Sequence, residues 1–348
     1  MKRACIVLIF VSATFGSTAT SWSAIATSGT LYFTTFLGGT NVNRVDFTYD
    51  GGAVDGSFTL ASPVNIASTP GADGIQFDPN NGHLLIGGQG PAVYRVDPSS
   101  GTFTSASTAP AAAFHLEVDP TSSFVYASGI PGALSRVPIG GAFGTPGTSI
   151  PVVGGSGTGV ITTIIFTTTG TNYYTLSGPS GFGEFGEVVI TGATATLTPL
   201  FTGVPAAHGG EYDPLTGDIF LFGDSQITQV TGIGGVSETL GPTLTFPGMA
   251  FDQGTVDGAG HLVAASNTGH LLFVDYSSSG SLTGAGTYAD LDFLAANLDD
   301  IAPLVGPGAP PDDGAVPEPT TLIVWTMLGF CAMAYGVKKH RAAAVRNR

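Results

Sequence analysis

Cysteine is almost missing from this 348-residue chain: Cys5 and Cys331 are the only two, each inside a terminal apolar run. Between them a disulfide framework, a Cys-based zinc site and thiol catalysis are excluded. Positive charge is equally scarce. No lysine occurs from residue 4 to residue 337, and only Arg44, Arg95 and Arg136 stand there against 25 Asp and Glu. So acidic a body repels polyanions and favours cations or neutral glycans. Nucleic-acid binding is excluded. The three arginines are expected to pair with carboxylates such as Asp46 or Asp97. No Gly-x-Ser-x-Gly elbow, His-Glu-x-x-His pair or P-loop lysine occurs either, so no local motif announces a catalyst.

What the chain has in abundance is glycine, 52 residues, with 23 prolines and 43% hydrophobic side chains. Thr, Val, Phe and Tyr between Gly-rich turns predict many short strands. The length allows a sizeable core.

The two ends read differently from the body. Residues 1–26 run from Lys2-Arg3 through an apolar stretch to small residues, the layout of a secretory signal peptide, with cleavage expected after Ala24 or Ala26. Residues 321–337 carry no charge and precede Lys338, Lys339, His340 and Arg341. As a helix this run would extend about 25 Å, the lower limit for a membrane span, with its basic flank on the cytoplasmic side. Residues 305–315 form a Pro/Gly/Asp linker before it.

Val316, Pro317, Glu318 and Pro319, followed by the span and the basic tail, resemble the PEP-CTERM protein-sorting domain of Gram-negative bacteria, also labelled the ice-binding protein C-terminal domain. The resemblance covers about the last thirty residues. It implies export, transient retention in the inner membrane, and processing near Pro-Glu-Pro by an exosortase. The product would reside at the envelope surface or outside the cell, with an envelope glycan or exopolysaccharide as partner. The ice-binding label describes the tail and says nothing of the body, which lacks a regular Thr array.

Within residues 27–304 one pattern recurs: an apolar strand ending in Asp, a short turn, and further strands. It is clearest in "GIQFDPNNGHLLIGG", "HLEVDPTSSFVYASG", "GGEYDPLTGDIFLFG" and "GMAFDQGTVDGAGHLVAAS". Second strands begin near Leu31, His83, Phe124, Tyr173, Asp218 and His261, a period of roughly 46 residues, the length of a four-stranded propeller blade. The first copy lacks its first strand, and "LDDIAPL" near the end of the body supplies it. The sequence therefore predicts an all-β fold, a six-bladed β-propeller closed by a C-terminal strand, flanked by a signal helix and a transmembrane helix. In outline the body resembles NHL-type or gluconolactonase-type propellers, without a full signature of either. A pair of stacked sheets is the alternative.

Asp78, Asp119 and Asp213 precede Pro and are expected to cap turns, a calcium or catalytic role being the alternative. Counting back from the terminal Asp of each copy, with Asp252 taken as the last, the second residue is Gln76, Glu117, Glu211 or Ala250. The strand starts add Asp73, His115, His208, Asp299 and Asp300. In a ring these would meet at one mouth of the channel. Asp73, His115, Glu117, His208, Glu211 and Asp300 form the candidate metal cluster, suited to a divalent cation such as Ca2+. A hydrated polar channel without metal is the competing reading. The expected function is a non-enzymatic binding or structural module, with a metal-dependent hydrolase or lactonase at the channel mouth as the alternative.

Overall fold

The computed structural model describes residues 27–302 apart from 37–39, 109–111, 131–132, 142, 157–158, 178–182, 206 and 236. The expected leader, the linker, the sorting motif at 316–319 and the apolar run at 321–337 lie outside the described residues. Among the described residues all regular structure is β-strand, and no helix is long and apolar enough to cross a membrane.

Local pattern explains the strands. In β1 (Thr27–Thr35) and β2 (Val42–Tyr49) side chains alternate: Val45, Phe47 and Tyr49 are buried while Arg44, Asp46 and Thr48 are exposed. This period of two is what a sheet with one covered face requires. β3 (Phe58–Leu60) and β4 (Val64–Ala67) share the outer edge of β2, broken near Pro63, which has no N–H to donate.

The following elements repeat this antiparallel ladder. β5 (Ile75–Phe77), β6 (Leu84–Ile86), β7 (Ala92–Val96) and β8 (Phe103–Ser107) form one sheet. β9 (His115–Val118), β10 (Phe124–Ile130), β11 (Ala133–Pro138) and β12 (Thr148–Gly154) follow in the same order, as do β13 (Val160–Ile165), β14 (Asn172–Ser177), β15 (Gly183–Thr191) and β16 (Thr194–Val204). A parallel pairing of β12 with β16 joins these last two ladders at their outer edges.

The remaining elements are β17 (Gly209–Tyr212), β18 (Ile219–Thr231), β19 (Thr239–Val256), β20 (His261–Ser266), β21 (His270–Asp275), β22 (Tyr288–Phe293) and β23 (Leu298–Ile301). Two of these strands are long because they bend. Ser225 in β18 has φ +58° and Gly248 in β19 has φ +86°. The first half of β19 pairs with β18 and the second half with β20, so one strand serves two ladders.

The expected closure forms. β23 pairs antiparallel with β1, with Phe33 opposite Ile301 and Thr35 opposite Leu298. The innermost strands β5, β9, β13, β17, the second half of β19, and β23 each pack against the next, and β23 returns to β5. The result is a propeller-like ring, and a sandwich of two stacked sheets is not what forms. The core is correspondingly divided into clusters between successive sheets. At the closing seam Phe47, Tyr49 and Phe58 meet Val263, Leu271 and Phe273, and the Phe58 and Phe273 rings stack at 4.4 Å. Each such side chain contributes about 1.5–3 kcal/mol by leaving water, which lets the ring hold without disulfides.

The Asp turns behave as the pattern predicts, with one correction. Asp78 Oδ1 accepts from Asn80 N at 3.0 Å, Asp119 Oδ1 from Phe124 N at 2.6 Å, and Asp213 Oδ1 from Leu215 N at 3.1 Å. In the last repeat the residue doing this is Asp257, whose Oδ1 accepts from Ala259 and His261 amides at 2.8 and 3.0 Å. Asp252 is therefore not the turn residue of its repeat, and Ala250 is not the counterpart of Glu117. The arginines also differ from expectation. Arg95 reaches Asp78 at 2.6 Å instead of Asp97, and Arg136 lies over the Phe124 ring at 4.7 Å. Asp46 accepts the Thr30 hydroxyl at 2.6 Å.

Candidate metal centre at the channel mouth

Five residues before each turn Asp the innermost strand presents a side chain to one end of the ring: Asp73, Phe114, His208 and Asp252. With Thr162 and Asp299 these line a cavity of about 530 Å³. Two glycines let the ligand-bearing strands approach. A Cβ on Gly74 would lie 2.9 Å from His115 Cα, and one on Gly209 would lie 2.3 Å from the Asp252 carbonyl oxygen. Bare backbone at these positions is what brings Asp73 near His115 and His208 near Asp252.

Six side chains converge there in three overlapping groups: His115, His208 and Asp252; Asp73, His115 and Asp300; Asp252, Asp299 and Asp300. Within each group one donor atom per residue lies within 4.8 Å of the others. His208 Nε2 is 2.6 Å from Asp252 Oδ1, and His115 Nδ1 is 3.5 Å from Asp300 Oδ2. Of the residues predicted for the cluster, Asp73, His115, His208 and Asp300 come together. Glu117 and Glu211 belong to none of the three groups. They lie further along their strands, where Gln76 Nε2 donates to Glu117 Oε2 at 3.3 Å.

Neighbouring residues fix the donors. Asn267 Nδ2 donates to Asp252 Oδ2 at 3.1 Å, and Gln253 Nε2 bonds Thr163 Oγ1 at 3.2 Å beside His115. The Thr34 hydroxyl on β1 donates to the Asp73 carbonyl at 2.5 Å and accepts from the Asp300 amide at 3.1 Å. Thr175 does the same for the strand of His208, donating to its carbonyl at 2.9 Å. Second-strand threonines thus hold first-strand ligands.

The electrostatics are those of carboxylates lacking counter-charge. Asp300 has no exposed surface, and among the described residues neither of its carboxylate oxygens has a hydrogen-bond partner. Oδ2 of Asp299, 4% exposed, has none either. Burial, reinforced by Asp300, pushes Asp299 up to about 12. Burial pushes Asp73 up to about 8 even though His115 opposes it. Asp300 is driven well above the carboxylate range by burial and Asp252. Asp252 itself is held low: burial opposes ionisation most strongly, but His208, His115 and the Asn267 hydrogen bond together outweigh it. Deeper in, burial and Glu211 raise Glu117, while burial and Asp213 raise Glu211 to about 8. Desolvation governs all the raised groups, because no lysine or arginine is close. A donor set of carboxylates and imidazoles without thiolate fits a divalent cation of the hard or borderline kind.

Asp252 was missed as a ligand because Asp-Gln looked like the Asp-Pro turn of the other copies. Spacing held the signal. From Asp78, Asp119 and Asp213 the second strand begins five or six residues on, at Leu84, Phe124 and Ile219, whereas Asp252 precedes the start of its second strand at His261 by nine.

No family model matches the chain, and no curated protein matches it. Among solved structures, a chain of a crystal structure of the mitotic checkpoint complex aligns with 84% of this chain and 88% of its own length, at TM-score 0.45 and 12% identity. The ring stands on its own strand pairing.

Proposed function

We propose that the protein is an exported six-bladed β-propeller, tethered through residues 321–337 and released near Val316, Pro317, Glu318 and Pro319 by an exosortase. At the envelope surface it acts as a non-enzymatic binding module, with a divalent cation at its channel mouth presenting a coordination site to a neutral glycan. The observation that carries the cation is Asp300, a fully buried carboxylate that accepts no hydrogen bond among the described residues and has only His115, at 3.5 Å, facing it. Such a group is costly unless an ion or a proton neutralises it. The glycan is supported by the cavity wall, where Phe36 and Phe114 flank the acidic floor. Apolar rings against a sugar face, with hydroxyls on a cation, are a combination suited to a neutral polyol in an acidic body. Metal-dependent hydrolysis is the second reading. It is favoured by the pair of His208 and Asp252, since His208 keeps 37% of its side chain exposed beside the cavity and is poised as a general base.

The test is calorimetric titration of metal-stripped protein with Ca2+ and Mn2+, followed by exopolysaccharide oligomers and by ester or lactone substrates. Saturable Ca2+ binding that Asp300→Asn abolishes is expected, with cation-dependent glycan binding and no turnover. Absence of cation binding by the parent protein overturns the reading, and cation-dependent turnover selects the second. Export is checked separately, by fractionation of cells carrying Glu318→Ala, which should retain the unprocessed chain in the membrane.

A further inference from the structure

One cation suffices for the proposed function, but the donor atoms fall into several three-residue groups. The six side chains do not form a single shell. Their groups differ in chemistry: one has two imidazoles (His115, His208, Asp252), one has carboxylates alone (Asp252, Asp299, Asp300), and a mixed one (Asp73, His115, Asp300) lies between them. Asp252 is the member the first two share. Imidazole nitrogen suits borderline ions such as Mn2+ or Zn2+, whereas an all-carboxylate set suits Ca2+ or Mg2+.

Charge balance points the same way. Asp73, Asp252, Asp299 and Asp300 are all less than a tenth exposed. None of the three described arginines takes part: Arg95 is engaged with Asp78, Arg136 lies over Phe124, and Arg44 sits on the exposed face of β2. When all four are ionised and both histidines are neutral ligands, two divalent cations cancel the four carboxylates, whereas one would leave two to be neutralised by protons or by His115 and His208. Asp300 Oδ2 faces His115 Nδ1 at 3.5 Å, while Asp299 Oδ2 and Asp300 Oδ1 accept no hydrogen bond among the described residues, and both residues belong to the carboxylate group. An ion held only by the histidine group would leave them so.

We infer that the channel mouth is a two-cation site, with a borderline metal on His115, His208 and Asp252, a hard cation on Asp252, Asp299 and Asp300, and Asp252 bridging them. In paired-metal centres the two ions sit about 3.5–4 Å apart, and a carboxylate common to both donor groups, as Asp252 is here, can bridge them. Asn267, donating to Asp252 Oδ2 at 3.1 Å, orients the bridge. The two ions would face the cavity together and offer adjacent coordination positions, the arrangement that grips two neighbouring hydroxyls of one ring. This inference rests on the cation reading above.

The test uses the full-length chain, stripped of metal and dialysed against Mn2+, Ca2+ or both, with bound metal counted by mass spectrometry. Two ions per chain are expected in the mixture. His208→Gln should lose at least tenfold in Mn2+ affinity and keep Ca2+, Asp299→Asn should do the reverse, and Asp252→Asn should weaken both. Retention of the other ion by the first two variants shows that each has folded. One ion per chain, or loss of the same ion in His208→Gln and Asp299→Asn, overturns the two-cation site while leaving the single-cation reading intact. No ion at all defeats both.

Discussion

Thr34→Val tests ring closure and the site together. Thr34 is completely buried on β1, where the pairing with β23 is irregular between Phe33 and Thr35. That irregularity takes the Asp300 amide out of the regular ladder, and the Thr34 hydroxyl fills the gap, accepting from it at 3.1 Å and donating to the Asp73 carbonyl at 2.5 Å. Valine has the same shape, so no cavity forms. It leaves one buried N–H and one buried C=O without this partner, at about 1–3 kcal/mol each. The expected loss is therefore about 2–6 kcal/mol in urea unfolding with chelator present. Cation affinity should drop roughly tenfold or more, because 1.4 kcal/mol of lost positioning is already a factor of ten. Thr34→Ser keeps the hydroxyl and should recover most of both. A Thr34→Val protein within about 0.5 kcal/mol of the parent, binding cations equally well, would refute the reasoning.

Two further outcomes follow from the same groups and their neighbours. In chelator, Asp73 (raised to about 8) and Asp299 (raised to about 12) hold protons that the unfolded chain has released. Stability from these two groups is then fully present below about pH 4 and is lost progressively as pH rises through the neutral range. Calorimetric melts should show the midpoint falling over that range, with saturating cation flattening the slope. A flat or rising trend in chelator contradicts the assignment. Away from the mouth, Arg95→Met strands the buried Asp78 carboxylate and should cost about 3–5 kcal/mol; adding Asp78→Asn should restore most of it, as read from denaturant midpoints.

Much of the ring was legible because its signals are local. Asp78, Asp119 and Asp213 announce their turns through residues within five positions, and Val45, Phe47 and Tyr49 announce a strand by alternation. Even the closure by residues 298–301 could be read, since a repeat missing its first strand must find one elsewhere. Partners across sheets were not legible. Arg95 passes over its neighbour Asp97 for Asp78, just past the end of β5 two strands away, while Asp97 is occupied by Ser99 and Ser100 of its own turn.

By itself, then, the sequence determined an acidic, cysteine-free, all-β body of repeating Asp-turn units and the order in which they succeed one another. Only tertiary structure decided which carboxylates share a site. Asp73, Asp252 and Asp299 are separated by whole repeats, and what unites them is the approach of inner strands past Gly74 and Gly209 and the tie of Thr34 across the seam. A turn is set by a few adjacent dihedrals and can be read from a few adjacent letters. A metal centre assembled from strands far apart in the chain depends on the position of every sheet around the ring.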